Sequence, residues 1–309
     1  MNETDRDHNI REGAMAKEAS ADVSLSDQRI VEFTVERKRL LRLSYRMLGS
    51  ITEAEDVVQD AWLRWARVED EVRTPTAYLT RIVTRLCLDR MKSARARREV
   101  YVGPWLPEPL VEPVDTQEAI ADDVTVTLML ALERLSPLER AAFLLHEVFD
   151  VALTEIAVVL EREPAAVRQL ASRARKNVQN ARPRYSVGAA EAEGIARAFF
   201  AASRDGDVTA LSALLARDVE IHSDGGGKVL AFREVIRGLE RALRLFVSAQ
   251  RKTATPPTLL RTATIDGLPG YVSLDPNGVL QITALGIRDG KIFAIYIVKN
   301  PDKLTHIDV

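Results

Sequence analysis

The chain has 309 residues, 46% hydrophobic and 28% charged, with 43 Lys and Arg against 45 Asp and Glu for a net charge of −2. At about 150 residues per domain this length implies two domains and permits three small ones, and the composition excludes a wholly disordered chain. A single cysteine, Cys87, excludes an intramolecular disulfide framework and a cysteine-based zinc site.

Residues 1–25 read as a polar, aperiodic, disordered tail, with Met15 as a second candidate start beside Met1. From 26 to 99 the pattern is helical. Val31, Val35, Leu40, Leu41, Tyr45 and Leu48 recur at three- to five-residue spacing, and Gly49 ends that helix. Thr52 with Glu55 reads as a capping box for a second helix through Trp65. After a break at 70–76, marked by Pro75, a third helix covers 76 to about 97. Residues 101–115 hold Pro104, Pro107, Pro109 and Pro113, which no helix tolerates, so an extended linker is expected.

A second helical block spans about 117–182. Ser136-Pro137-Leu138-Glu139 is a helix start, with Ser as N-cap, Pro at the first position and Glu at the third. A short apolar helix over 153–160, a polar turn at 161–163 and a helix from Pro164 to about 180 have the dimensions of a helix-turn-helix. Beyond Pro183, helices are expected over 189–203, 208–215 and 232–249. Strands follow over 259–265, 271–274, 279–287 and 291–298, with hairpin turns at 275–278 and 288–291. Helices first and an antiparallel sheet afterwards indicate an α+β domain.

The charge is unevenly placed. Between Ala165 and Arg184 six basic residues stand with no acidic one. Between Arg81 and Arg98 seven basic residues stand against Asp89 alone. Two segments of +6 are what a polyanion attracts. Val167, Leu170 and Ala174 form the inward stripe of the helix from Pro164. Arg168, Gln169, Ser172, Arg173 and Lys176 face outward; Arg and Gln suit base edges, Lys and Ser phosphates. On the second helix Val58, Ala61, Trp62 and Trp65 fit a buried stripe. Asp56, Gln59, Asp60 and Leu63 form an acidic, partly apolar face suited to a protein partner.

These features together resemble the extracytoplasmic-function (ECF) sigma factors of bacterial RNA polymerase. The marks of region 2 are Ala54-Glu55-Asp56-Val57-Val58-Gln59-Asp60, Tyr78-Leu79 and Leu86-Cys87-Leu88-Asp89-Arg90. Those of region 4 run from Leu135-Ser136-Pro137-Leu138-Glu139-Arg140 through Ala171-Ser172-Arg173-Ala174-Arg175-Lys176. Gly103-Pro104-Trp105-Leu106-Pro107-Glu108-Pro109, Asp224-Gly225-Gly226-Gly227-Lys228 and Asn300-Pro301-Asp302-Lys303-Leu304 resemble motifs of the sigma-J-like group, whose region 4 precedes a SnoaL-like (NTF2-like) domain.

The resemblance implies a multidomain chain: a tail (1–25), an all-α region 2 (26–99), a Pro-rich linker (100–116), an all-α region 4 (117–184) and an α+β NTF2-like cone (186–309). It implies a promoter-specificity factor that binds core RNA polymerase and promoter DNA, regulated in cis by its last domain, with no catalytic residues, cofactor or metal. Asp56, Gln59, Asp60 and Leu63 would face polymerase. Arg73, Thr76, Arg81 and Arg85 would meet the −10 element, and the helix from Pro164 would read the −35 element. Trp105, Leu106, Pro107, the 224–228 loop and Asn300, Pro301, Asp302, Lys303 and Leu304 would form the regulatory contact between domains. A cytoplasmic protein is expected, with no membrane partner and no separate anti-sigma factor required. An unidentified small ligand of the cone stays open. Two other readings are carried. One is a cyclase or isomerase using His222 and Asp224 as an acid/base pair; the other is a ligand-responsive helix-turn-helix regulator. A phosphate loop at 224–228 is set aside, because the first Gly is missing and Val229 replaces Ser or Thr.

Overall fold

The structure, a computed structural model, describes residues 27–99, 101–112, 126–178, 188–252 and 255–307, and their side chains except those of 93–99, 112, 189 and 252. The expected tail at 1–25, the linker's end at 113–116, the start of the second block at 117 and the basic Arg182 and Arg184 lie outside these residues. The chain divides into two compact units, residues 1–91 with 144–164 and residues 92–143 with 165–309.

In the first unit, helix α1 spans 27–48 and ends at Gly49, whose φ of +73° turns the chain while its N–H returns to the Tyr45 carbonyl at 2.7 Å. That turn delivers Ser50 in extended conformation, and its side chain accepts from the Glu53 N–H at 3.1 Å. Helix α2, Ile51–Trp65, is therefore capped by Ser50, two residues before the expected cap Thr52, which lies in its first turn. Helix α3, Pro75–Glu99, takes Pro75 at its first position. Trp65 is 1% exposed, donates through Nε1 to the Arg29 carbonyl at 3.1 Å and lies 5.6 Å from the Tyr78 ring. Trp62 is only half-buried, against Phe33 at 5.1 Å. The same unit holds a π-helical turn, Leu144–Val148, and α6, Leu153–Leu160, which matches the expected short helix and stops at Glu161 in the left-handed region, φ +54°.

In the second unit, α4 is Val126–Glu133 and α5 is Pro137–Phe143. The expected cap of α5 is reciprocal: Glu139 N–H donates to Ser136 Oγ at 3.4 Å, and Ser136 N–H donates to Glu139 Oε2 at 3.1 Å. Arg140, buried, is tied to Glu133. Helix α7 is Pro164–Val178. Its buried stripe is Val167, Ala171, Ala174 and Val178, while Leu170 is half-buried at the edge, a shift of one position from the expected stripe.

The last domain carries α8 (Ala189–Asp205), α9 (Val208–Leu214) and α10 (Leu239–Lys252). The linker contributes strand β1, Val111–Glu112. The others are β2 (Leu215–Asp224), β3 (Ile236–Arg237), β4 (Thr258–Ile265), β5 (Leu268–Leu274), β6 (Leu280–Arg288) and β7 (Lys291–Val298), in the order β1-β4-β5-β6-β7-β2-β3. Two expectations are corrected. The sheet is mixed, because β2, hidden in the sequence by Arg217, Asp218 and Glu220, pairs parallel to β7. The helix expected over 232–249 begins only at Leu239. Gly238, φ +89°, sends its N–H to the Val219 carbonyl at 2.8 Å and leaves β3 before it. Both hairpin turns are found; Asp275 Oδ1 accepts from Asn277 and Val279 N–H at 2.8 and 3.0 Å.

One face of the sheet is covered by α8–α10 around Phe199, Phe200, Phe246 and Tyr271. The other is covered by Leu106 of the linker, Val126 and Leu130 of α4, and Leu304. Phe199 stands edge-on to Phe246 at 5.5 Å. Replacing Phe199 by Ala is expected to cost about 3–5 kcal/mol, read as a lowered thermal midpoint of the C-terminal domain.

Candidate functional site

Asp224 ends β2 on the linker-covered face and has 0% exposed surface. Its Oδ1 accepts from the Tyr101 hydroxyl at 2.5 Å and the Gly226 N–H at 3.0 Å. Its Oδ2 accepts from the Leu106 N–H and from Lys303 Nζ, at 2.9 and 2.8 Å. Its carbonyl accepts from Lys299 and Asn300 N–H. Lys303 also donates to the Leu106 carbonyl and lies 4.4 Å from the Trp105 ring and 5.0 Å from that of Tyr101. Asn300 Nδ2 donates to the Tyr101 hydroxyl at 2.9 Å, while its Oδ1 accepts from Asp302 N–H. Lys228 pairs with Asp302 at 2.6 Å.

Residues of the linker, the 224–228 loop and the 300–304 turn come together around the Asp224 carboxylate. Leu106, 1% exposed, lies against Asp224, Lys303 and Leu304, the Trp105 ring stands over Lys303, and Pro107 lines the small cavity beside Leu106. Gly226 has φ +62°, and a Cβ there would lie 2.4 Å from Asn300 Nδ2. Gly225 passes as close to the Val229 carbonyl, whereas Gly227 abuts Val102. Pro301 opens the 3-10 turn that carries Asp302 and Lys303. The linker continues as β1 on the sheet edge, Val111 opposite Ile265, with Asp266 N–H donating to the Leu110 carbonyl. His306 bonds the Pro109 carbonyl at 2.9 Å. Glu108, a residue of a segment expected to be unsupported, is buried. Sequence reasoning missed Tyr101. Burial, followed by its bond to Asp224, pushes its phenol well above the ordinary value.

Arg168, Gln169, Ser172, Arg173 and Lys176 are all exposed on α7, and Arg173 pairs with Glu139 at 3.4 Å. In the first unit, Arg73 is exposed and Thr76 donates to Glu36 at 2.7 Å. Arg81 and Arg85 both reach Glu161. Asp56, Gln59 and Leu63 are exposed and Asp60 is half-buried. Arg90 forks across Asp56 and Asp60, at 3.1 Å to each. Burial opposes the Arg90 charge, but those two bonds outweigh it and raise its pKa. The acidic face thus carries its own counter-charge, which a count of residues placed in the basic cluster.

His222 and Asp224 form no acid/base pair. Asp224 is saturated by its four donors. His222 Nε2 instead meets Glu220 at 3.2 Å, and its ring lies 5.2 Å from that of Tyr296. Tyr296 in turn bonds Thr127 of α4 at 3.1 Å. Burial lowers the His222 pKa; Glu220 opposes this, and Arg237 and Arg134 add to it. Neither residue lines the cavity of about 10 Å³ left under Leu106, Pro107 and Pro109, which holds one water at most. Neither lines the open cleft of about 370 Å³ beside Ser212, Arg217, Asp289 and Lys291. Among the described residues no group of three or more His, Cys, Asp or Glu has metal-binding geometry, and no helix is long and apolar enough to cross a membrane.

Comparison with known proteins matches Sigma-70 region 2 to residues 33–97 and Sigma-70, region 4 to residues 125–178. The chain is 38% identical over 296 residues to the ECF RNA polymerase sigma factor SigJ of Mycobacterium tuberculosis, covering 89% of this chain and 93% of that protein. It is 32% identical over 274 residues to the probable ECF RNA polymerase sigma factor SigI of the same species, covering 87% and 92%. The crystal structure of M. tuberculosis SigJ superposes with a TM-score of 0.72 at 33% identity, covering 89% of this chain and 98% of that one.

Two outcomes follow from this geometry. Asp224→Asn leaves the Lys303 charge buried without its partner and is expected to destabilise the docked linker by about 3–5 kcal/mol, seen as faster proteolysis between Tyr101 and Glu112; adding Lys303→Met restores part of the protection. His222 acts through acid. Because its folded pKa lies below its ordinary 6.5, the unfolded chain takes up the proton first, so its contribution is full above about pH 6.5 and is lost as pH falls through the folded value. His222→Gln is expected to flatten the fall in thermal midpoint between about pH 7 and about pH 5.

Proposed function

We propose, for a chain that belongs to the extracytoplasmic-function family of RNA polymerase sigma factors, that its SnoaL-like domain governs promoter-specific initiation in cis through the linker. The initiating function itself comes with the family: two helical sigma domains confer promoter specificity on core RNA polymerase, and a SnoaL-like (NTF2-like) domain follows them. We assign region 2 to 26–99, the linker to 100–116, region 4 to 117–184 and the SnoaL-like domain to 186–309. In this reading Asp56, Gln59, Asp60 and Leu63 face the polymerase. Arg73, Thr76, Arg81 and Arg85 meet the −10 element. Arg168, Gln169, Ser172, Arg173 and Lys176 read the −35 element. The exposure of all five α7 side chains supports that last role.

The observation that carries cis control is the buried Asp224–Lys303 pair closed over the Leu106 backbone. A linker gripped by a charge pair has two states, docked and released, and a partner that favours one need supply only a few kcal/mol to shift the balance. The restraint is part of the chain, so no separate anti-sigma factor is required. The SnoaL-like domain acts here as a clamp rather than a catalyst, since His222 and Asp224 are committed to structural contacts and the space beside the linker is filled. Such a factor works in the cytoplasm, where polymerase and promoter meet.

Run-off transcription with core polymerase tests this. Full-length protein, its Lys303→Met variant, a chain ending at Lys299 and one ending at Ser186 are compared on candidate promoters. Lys303→Met and the Lys299 chain are expected to initiate several-fold more than the full-length protein, with the Ser186 chain differing from both. Equal transcription from all four ends the proposal of cis control.

A further inference from the structure

We infer that Glu161, in the turn before α7, is an intramolecular competitor of nucleic acid for Arg81 and Arg85 of α3. This rests on the reading above that this face of α3 meets DNA. Glu161 lies within the residues matched by region 4, the two arginines within those matched by region 2, and all three belong to one compact unit.

Arg85 donates to Glu161 Oε1, and Arg81 Nη2 lies 3.8 Å from the same oxygen. A carboxylate thereby takes the place on two guanidinium groups that a phosphate oxygen would take. Glu161 holds a left-handed φ of +54°, uncommon for a residue other than Gly, Asn or Asp. The turn that brings it there is closed by the Arg162 N–H to the Ala157 carbonyl at 3.0 Å. Twelve residues earlier the same segment has a second anchor: the Phe149 ring lies 5.5 Å from the Arg39 guanidinium and 5.4 Å from that of Arg46, both on α1. Arg39 in turn bonds Glu36 and Thr80, and Glu36 accepts from Thr76. Three of the four side chains assigned to the −10 element, Thr76, Arg81 and Arg85, are thus engaged by carboxylates of their own unit.

The contact is built to yield. Glu161 is 68% exposed, and Arg81 and Arg85 are 41% and 40% exposed, so the pairs are weak and screened by salt. Of the other two charges in that turn, Arg162 donates to the Glu161 carbonyl and Glu163 is exposed.

The test uses the full-length chain and a fluorescent oligo-dT strand about 20 nucleotides long, titrated by anisotropy in about 50 mM salt, where phosphate contacts dominate. Glu161→Gln is expected to tighten binding about two- to fivefold. Glu163→Gln removes the same charge two residues on and should change it less than about twofold. The gain from Glu161→Gln should shrink as salt rises, and should vanish in an Arg81→Ala/Arg85→Ala background. Equal effects of Glu161→Gln and Glu163→Gln would overturn the inference, leaving only general charge removal. Should the double alanine leave the affinity of the Glu161→Gln chain unchanged, the DNA-facing reading of α3 fails as well. Hydrogen exchange separates these cases, because faster exchange over 144–164 in the Glu161→Gln chain reports release of the contact without DNA.

Discussion

Asp224 is a carboxylate with no exposed surface, and burying a charge is tolerated only when its lone pairs and its counter-ion are supplied. Here the suppliers come from far apart in the chain. Tyr101 and Leu106 come from the linker, Gly226 from the adjoining loop and Lys303 from the last turn. Removing any one leaves a buried charge or donor unmatched, which makes the arrangement cooperative. The linker's conformation, its strand on the sheet edge and the packing of α4 against the same face are continuous with this one carboxylate.

A second consequence is where space remains. In this domain the apolar surface of the sheet is covered by its own chain. Phe199, Phe200, Phe246 and Tyr271 fill the helix-covered side, and the linker with α4 covers the other. The domain is organised to hold a peptide segment, and that segment connects the two sigma regions.

Charge elsewhere follows one pattern. Several basic side chains fit for a polyanion are met by a carboxylate in the folded chain: Arg90 by Asp56 and Asp60, Arg81 and Arg85 by Glu161, Arg173 by Glu139. The net charge of −2 is therefore an average over +6 segments and the acids that pair with them. Exposed pairs of this kind exchange readily for a denser array of phosphates.

Much of this was legible in the residues. Local signals fixed local structure: the Ser136–Glu139 cap, the 153–160 helix, both hairpin turns and the exposed face of α7 depend on neighbours within a few positions. The ordered motifs also declared the family and named Leu106, Gly226 and Lys303, which meet at Asp224, but not Tyr101. Elements set by distant partners were not legible. Strand β2 was hidden by Arg217, Asp218 and Glu220, and its parallel pairing with β7 is non-local, while Gly238 cut the expected 232–249 helix for a bond to Val219. Composition and spacing thus determined which chemistry this chain carries and roughly where. Only the tertiary structure decided which charges are spent on one another, because ion pairing depends on distance in space, and residues such as Arg85 and Glu161 or Asp224 and Lys303 have no relation along the sequence.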